Sequence, residues 1–312
     1  LTLDRCIPAV RSAMIALSAD QTSQTLRQII RLDENRSFGV MQGSLGENAM
    51  FGAKIISVYP ENFSRGLQSH QGLVMLFDSE SGAPVCLIHA GEVTRIRTAA
   101  ASAVATAALA RPAASRLAVL GYGEQARTHV EAIITVRPIS VVRVWGRSYE
   151  RSQQFARSLS ENLGITVAAL RDVADAVEDA DVICTTTGAS EPILESRMVA
   201  DGCHINVVGS SYAGPAEIDS SLVKRARFFP DHRPSVLQQG AEFLRAKAAG
   251  LVADDHVLAE IGAVLSGERP GRRTADEVTI YKSLGNIVQD LASAAVLYRI
   301  SQDDGSWPRF AI

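Results

Sequence analysis

The spacing of hydrophobic positions changes character about a third of the way along the chain. Residues 5–18 carry apolar side chains at helical spacing and predict an amphipathic helix. Short β-rich runs follow at 26–32, 38–41, 52–59, 72–78 and 84–89. The turn cluster Ser79-Glu80-Ser81-Gly82 separates the last two runs and predicts a hairpin. The first third is therefore expected to be an α+β unit with a largely antiparallel sheet. Residues 94–111 are rich in alanine, the strongest helix former, and Pro112 closes the predicted helix.

From residue 116 the pattern alternates. Short buried strands are predicted at 116–120, 139–145, 165–169, 181–186, 203–208 and 226–229. Helices are predicted at 124–136, 149–163, 171–179, 194–200 and 217–225. Regular β-α alternation of this kind indicates a parallel, doubly wound sheet. Residues 234–267 have a helical pattern, followed by a polar loop from Gly267. A last helix over 284–300 is predicted to present Ile287, Val288, Leu291, Ala294, Ala295 and Tyr298 on one face.

The most informative stretch lies where the alternation begins. A strand over 116–120 runs into Gly121-x-Gly123-x-x-Ala126, and a helical pattern starts at once. In that context Gly121 permits the sharp turn and Gly123 lets backbone approach a pyrophosphate. Ala126 allows helix to pack closely on strand, and the helix N-terminus attracts phosphate. The following strand ends at Gly146-Arg147-Ser148, with no acidic residue there to hold ribose hydroxyls. Arg147, Ser148 and Arg151 offer cationic and hydroxyl donors instead, which suit a 2′-phosphate. NADP(H) is therefore favoured over NAD(H).

At 312 residues and 46% hydrophobic, the chain has the size of two domains. A formal charge of −3, with acids and bases interspersed, gives no electrostatic case for nucleic acid or an anionic membrane. No apolar run is long enough to span a bilayer. Cys6, Cys86, Cys184 and Cys203 lie far apart, without metal-ligand or disulfide spacing, and the first residues show no signal-like core. A cytoplasmic protein is expected. The six histidines show no metal spacing and are expected to be structural or surface residues; no metal site is expected.

The chain resembles the ornithine cyclodeaminase/mu-crystallin family over nearly its whole length. The resemblance rests on Lys54 with Val58-Tyr-Pro-Glu-Asn62, on Ile96-Arg97-Thr98 running into Ala99–Ala103, and on the glycine turn from Gly121 to Ala126. It continues through Asp181–Thr187 with Glu191-Pro-Ile193, Ile205–Ser210, Tyr281-Lys-Ser-Leu-Gly285 and Gln289-Asp290-Leu-Ala292. The resemblance implies a Rossmann-type doubly wound parallel sheet inserted into an α+β catalytic and dimerisation domain. Residues 1–112 plus 284–312 would form the substrate-binding and dimerisation domain, and 113–283 the NAD(P)-binding domain. It also implies a homodimer and a small α-imino or α-amino acid substrate.

Such a substrate needs a carboxylate clamp, and an arginine fork suits both oxygens. Arg97 matches the family's binding arginine; Arg27 is the expected second, with Arg31 as its alternative. Lys54 is expected to bind the carboxylate or to give a proton to the reacting nitrogen. Cofactor contacts are expected from Thr98, Gly121, Gly123, Glu124, Gln125, Ala126, Arg147, Ser148 and Arg151. Further contacts are expected from Thr185, Thr186, Thr187, Val208, Gly209, Ser283 and Gly285.

One departure bears on the reaction. Cyclodeaminases of this family carry an acid-base Asp in the segment Val208-Gly209-Ser210-Ser211-Tyr212-Ala213-Gly214, where this chain has Ser211. A serine hydroxyl orients water or hydrogen-bonds an imine, but does not ionise near neutral pH without a strong base beside it. Glu217 and Asp219, the nearest downstream acids, are expected to favour the N-terminus of the next helix. The expected activity is thus an NAD(P)H-dependent imine (ketimine) reductase, or an adjacent amino-acid dehydrogenase. Ornithine cyclodeamination with bound NAD is the alternative, and non-catalytic NADP-dependent binding of a small ligand the second.

Overall fold

In the computed structural model, which describes residues 1–305, 307 and 308, the chain divides into two compact units: residues 1–97 with 286–312, and residues 98–285. The sequence places the boundaries at 112/113 and 283/284; the first observed boundary lies instead within a continuous helix. Residues 306 and 309–312 of the expected C-terminal segment lie outside the described residues.

Unit 1 opens with α1 (Leu3–Ser18) and continues with β1 (Ser23–Gln24), β2 (Gln28–Arg31), β3 (Ser37–Ser44), β4 (Phe51–Val58), β5 (His70–Phe77) and β6 (Pro84–His89). These strands form an antiparallel sheet in the order β1-β3-β4-β5-β6, with β2 also on β3. The expected hairpin joins β5 to β6: Asp78 Oδ1 accepts from the amides of Glu80 and Ser81, and Gly82 takes a positive φ of 70°. Along β4 the side chains alternate, with Gly52, Lys54 and Ile56 buried and Phe51 and Ile55 exposed. The apolar inner positions Met41, Val74 and Leu76 pack with Ile287, Leu291 and Ala294 of α10 (Ile287–Asp304).

The alanine-rich stretch forms α2 (Ala90–Leu109), four residues earlier than its composition alone places it. Unit 2 then contains β7 (Arg116–Leu120), α3 (Glu124–Ile133), β8 (Val141–Trp145), α4 (Tyr149–Leu163), β9 (Thr166–Ala169), α5 (Val173–Val177), β10 (Val182–Thr185) and β11 (His204–Val207). It ends with α6 (Ser220–Arg225), β12 (Arg227–Pro230), α7 (Arg233–Gln239), α8 (Ala241–Ala248), α9 (Ile261–Leu265) and β13 (Thr279–Lys282). All seven strands pair in parallel in the order β12-β13-β11-β10-β7-β8-β9. Chain order reverses between β7 and β10, and in open α/β sheets the crevice beyond the strand ends at that reversal is where ligands sit.

Three expectations change. Residues 194–200 form only a 3₁₀ turn over Ser196–Met198, too short to bury an amphipathic face. The 234–267 stretch is broken into α7, α8 and α9, because Gly240 stands between the first two in extended backbone and Gly250 takes a positive φ of 70°. Residues 279–282 form β13, a fully buried strand inside the sheet.

Candidate active site

Unit 1 gathers its charges around the N-terminus of α10. Asn286 caps this helix by accepting from the Gln289 amide at 3.3 Å, which places Gln289 and Asp290 in its first turn. Lys54, on the inner face of β4, is 3% exposed. Its ammonium donates to Thr94 Oγ1 at 2.6 Å and to Asp290 Oδ1 at 3.1 Å. Arg97 donates from Nε to the same Asp290 oxygen at 3.0 Å and from Nη1 to Gln289 Oε1 at 2.9 Å. Arg97 and Asp290 are buried as well, so two cations and one anion share an interior region.

The electrostatics follow from that arrangement. Burial works against an ionised Asp290, but Arg97 and Lys54 outweigh it and hold the carboxyl below its ordinary value. Burial lowers the Lys54 ammonium most strongly; Asp290 pulls it back up, and the cations Arg97 and Arg27 lower it again, leaving it at about 8. Arg27 thus lies within electrostatic range of Lys54 and is partly buried, whereas Arg31 is exposed on the edge strand β2.

Unit 2 supplies a glycine turn. Gly121 has φ 130°, and a Cβ there would meet Thr186 Oγ1 at 2.6 Å and the Thr186 carbonyl oxygen at 2.8 Å. Gly123 has φ −92°, and a Cβ there would meet nothing within 4 Å. α3 starts directly after Gly123, which has no side chain to cap it, and the acidic Glu124 stands in its first turn. Glu124, Gln125 and Ala126 form its first turn, and Ala126 is buried against the sheet. A helix N-terminus opening on space at the β7/β10 reversal fits the pyrophosphate of a dinucleotide.

Around this turn the expected contact residues take different positions. Arg147 and Arg151 are exposed; the Ser148 hydroxyl caps α4, accepting from the Arg151 amide at 3.3 Å and donating to Glu150 at 3.0 Å. Thr185 is buried and donates to Glu217 at 2.7 Å; Thr187 donates to Glu217 from both its amide, at 2.7 Å, and its hydroxyl, at 2.8 Å. The Thr186 hydroxyl donates to the Leu120 carbonyl at 3.1 Å. Gly209, beside the buried Val208, donates its amide to Glu217 at 2.6 Å. Ser283 is buried with no hydrogen-bond partner for its hydroxyl, and the Gly285 amide donates to Asp231 at 2.6 Å. Thr98 is buried, while Ser211 is only partly covered.

Glu217 corrects the expectation placed on it. It stands three residues before α6 and ties together the ends of β10 and β11; Asp219 alone provides the helix cap, accepting from Leu222 at 2.8 Å. Burial raises the Glu217 carboxyl, and the hydrogen bonds from Thr185 and Thr187 oppose that shift. A second buried acid was not singled out from the sequence. Glu242 pairs with Lys282 at 2.8 Å and accepts from the Ser210 hydroxyl and from the Glu217 amide. Lys282 also donates to the Ser210 carbonyl at 2.6 Å, so the start of the loop bearing Ser211 is fixed from beneath. Lone acids on helices give no periodic signal; Asp290 lies in the Gln289-Asp290-Leu-Ala292 motif, but only contact with Lys54 and Arg97 shows what it does. Among the described residues no cluster of three or more His, Cys, Asp or Glu side chains could hold a metal ion, and no helix is long and apolar enough to cross a membrane.

The fold and the glycine turn define a Rossmann-type dinucleotide-binding protein with a second α+β unit. Residues 1–304 match the ornithine cyclodeaminase/mu-crystallin family, and the chain belongs to it. Over 307 residues it is 32% identical to a Δ1-pyrroline-2-carboxylate reductase of Bacillus cereus, covering 98% of this chain and 94% of that protein. The structure of Thermococcus litoralis Δ1-pyrroline-2-carboxylate reductase in complex with NADH and L-proline superposes with a TM-score of 0.96 at 29% identity, over 99% of this chain and 96% of that one. An archaeal alanine dehydrogenase dimer with bound NAD superposes with a TM-score of 0.94 at 27% identity, over 100% of this chain and 95% of that one.

Proposed function

We propose that the protein is an NAD(P)H-dependent imine reductase acting on a small α-imino acid. The observation that carries this reading is the excess of buried positive charge in unit 1. Lys54 and Arg97 share a single anion, Asp290, and Arg27 adds a further cation within electrostatic range. Burying unbalanced charge is costly unless a ligand completes the set, and a substrate carboxylate does so. Arg97, with Arg27, grips that carboxylate. When bound, the pyridine dinucleotide supplies the hydride that the imine carbon takes up.

The proton for the imine nitrogen comes from Lys54, whose lowered value of about 8 keeps it charged at neutral pH yet able to give a proton up. The C=N bond thus becomes CH–NH with one hydride and one proton added. Ser211, in the loop after β11, offers a neutral hydroxyl in place of an ionisable carboxylate. Deamination is disfavoured by the same loop. Glu217, which follows this loop, and Glu242 of α8, which holds Ser210, are buried and committed to Thr185, Thr187, Gly209, Ser210 and Lys282.

Gly121, Gly123 and the first turn of α3 hold the pyrophosphate, with Thr98, Thr186, Thr187, Val208, Gly209, Ser283 and Gly285 along the remaining length of the cofactor. NADP(H) is preferred, because Arg147 stands exposed at the end of β8 and Glu150, three residues on, receives the Ser148 hydroxyl. The protein works as a homodimer. The outer face of the unit 1 sheet exposes Phe51, Ile55, Leu73 and Leu87, with Phe51 stacked on Phe77, and a second copy covers it; the archaeal alanine dehydrogenase of like fold is a dimer. The test is a panel of cyclic and linear α-imino acids with NADPH and NADH, followed at the nucleotide absorbance. Turnover is expected with at least one cyclic imine and not with ornithine; ornithine-dependent ammonia release without added nucleotide would overturn the reading.

A further inference from the structure

We propose that Asp290 is the positioning residue of the reductive step, holding the Lys54 ammonium and the Arg97 guanidinium side by side so that one remaining Lys54 proton is aimed at the substrate nitrogen. The proposal rests on the imine-reductase reading and adds a role that the carboxylate clamp does not require.

The geometry is specific. A single oxygen, Asp290 Oδ1, accepts from Lys54 Nζ at 3.1 Å and from Arg97 Nε at 3.0 Å, which fixes the separation of the two cations. The second oxygen, Oδ2, is buried without a hydrogen-bond partner, so the carboxylate is not placed there to satisfy itself. An ammonium has three donors. Two of those on Lys54 are fixed, one on Asp290 and one on Thr94 Oγ1, which in turn donates to the Ala90 carbonyl at 2.6 Å. Only one N–H direction is left, and the two fixed bonds determine it. Gln289 holds the other end of the guanidinium through its Oε1, while its Nε2 is buried and unpartnered. Asp290 itself is held by its place in the first turn of α10, where the helix dipole favours a carboxylate.

The charges that face Lys54 are Asp290 from α10, Arg97 from α2, Arg27 from the segment before β2, and His70 from β5; Cys6 of α1 faces Arg97 and Asp290. Of these named groups Asp290 alone is an anion at neutral pH. Its removal leaves Lys54 among cations and favours loss of the ammonium proton.

Asp290→Asn tests this. The chain has four lysines, Lys54, Lys224, Lys247 and Lys282, so ¹³Cε-lysine NMR can follow Lys54 in the enzyme without nucleotide or substrate, with Lys54→Met giving the assignment. Wild-type Lys54 is expected to titrate at about 8, and Asp290→Asn is expected to move that midpoint down by about one unit or more. In turnover, kcat at pH 8 is expected to fall about fivefold, since a one-unit shift takes the protonated fraction of Lys54 there from about one half to about one eleventh, with partial recovery near pH 6. A merely structural role leaves the midpoint and the shape of the pH profile unchanged, and that result overturns the proposal. Should Asp290→Asn fail to fold, the pair Lys54→Met/Asp290→Asn, which no longer strands the ammonium, is expected to restore a cooperative melt; failure to do so overturns the pairing. If the midpoint moves but neither protein reduces any imine, the Asp290–Lys54 pairing stands and it is the imine-reductase reading, with the reductive role built on it, that fails.

Discussion

Two glycines separated by one residue are expected to respond in opposite ways to the same methyl group. At Gly121, φ is 130°, and an added Cβ would lie 2.6 Å from Thr186 Oγ1 and 2.8 Å from the Thr186 carbonyl oxygen. A side chain held in that backbone region costs roughly 1–3 kcal/mol before the collision is counted. Gly121→Ala should therefore lower the melting temperature of the nucleotide-free protein by several degrees, at about 2–4 °C per kcal/mol for a unit of this size. At Gly123, φ is −92° and a Cβ would face open space. Gly123→Ala gives up only the mild preference for glycine at a helix N-cap, under about 1 kcal/mol.

That open space is where the pyrophosphate is proposed to lie against backbone amides. A methyl group there forces the phosphate away and forfeits at least one charge-assisted hydrogen bond, roughly 1.5–3 kcal/mol. The expected loss of dinucleotide affinity is about 10- to 150-fold. Thermal melts without ligand and fluorescence titration with NADPH read the two quantities separately. Gly123→Ala should bind poorly while melting close to the parent. If it destabilises the nucleotide-free protein as much as Gly121→Ala, or binds NADPH as the parent does, the cradle has been misplaced.

The remaining expectations are narrower. Arg147→Ala should weaken NADPH by about tenfold or more and leave NADH nearly unchanged, measured as KM for each nucleotide; equal effects on both would remove the 2′-phosphate assignment. His129 and His204 are buried, and burial depresses them from 6.5 to about 4 and about 3; His129 accepts from or donates to Ser102 at 2.9 Å. Because the unfolded imidazoles take up protons first, stability is present above pH 6.5 and is lost as pH falls toward 4, by about 2 kcal/mol for each at pH 5. Urea midpoints at pH 7.5 and pH 5 check this, and an unchanged or higher midpoint at pH 5 contradicts it. Leu73→Lys, placed on the exposed outer face of the unit 1 sheet, should convert a dimer to monomer in sedimentation; a dimer that tolerates it lies elsewhere.

Period and punctuation carried most of the architecture. The alternation from Arg116 onward marks the parallel sheet because its central strands β7, β10 and β11 are buried on both faces, and Gly121 with Gly123 marks the turn at its order reversal. Thr279–Lys282 escaped because a four-residue strand between a polar loop and a helix has no room to show a period, although it sits between β11 and β12. The site was legible where residue type is incongruous in its setting, as with Lys54 inside an apolar strand. Asp290 and Glu217 had no such contrast. Each is an ordinary acid near a helix start, and only its partners, Lys54 and Arg97 or Thr185, Thr187 and Gly209, show that it organises its surroundings.

The central claim is that hydride arrives at an imine carbon while Lys54 supplies the proton. Its most direct measurement uses NADPH carrying deuterium at the transferable C4 position, incubated with Δ1-pyrroline-2-carboxylate and analysed by mass spectrometry of the amino acid formed. One deuterium at the α-carbon per nucleotide oxidised is expected, with Lys54→Met forming that product at least a hundredfold more slowly, the lower range for loss of a general acid. An unlabelled product, or a Lys54→Met variant as fast as the parent, would contradict it.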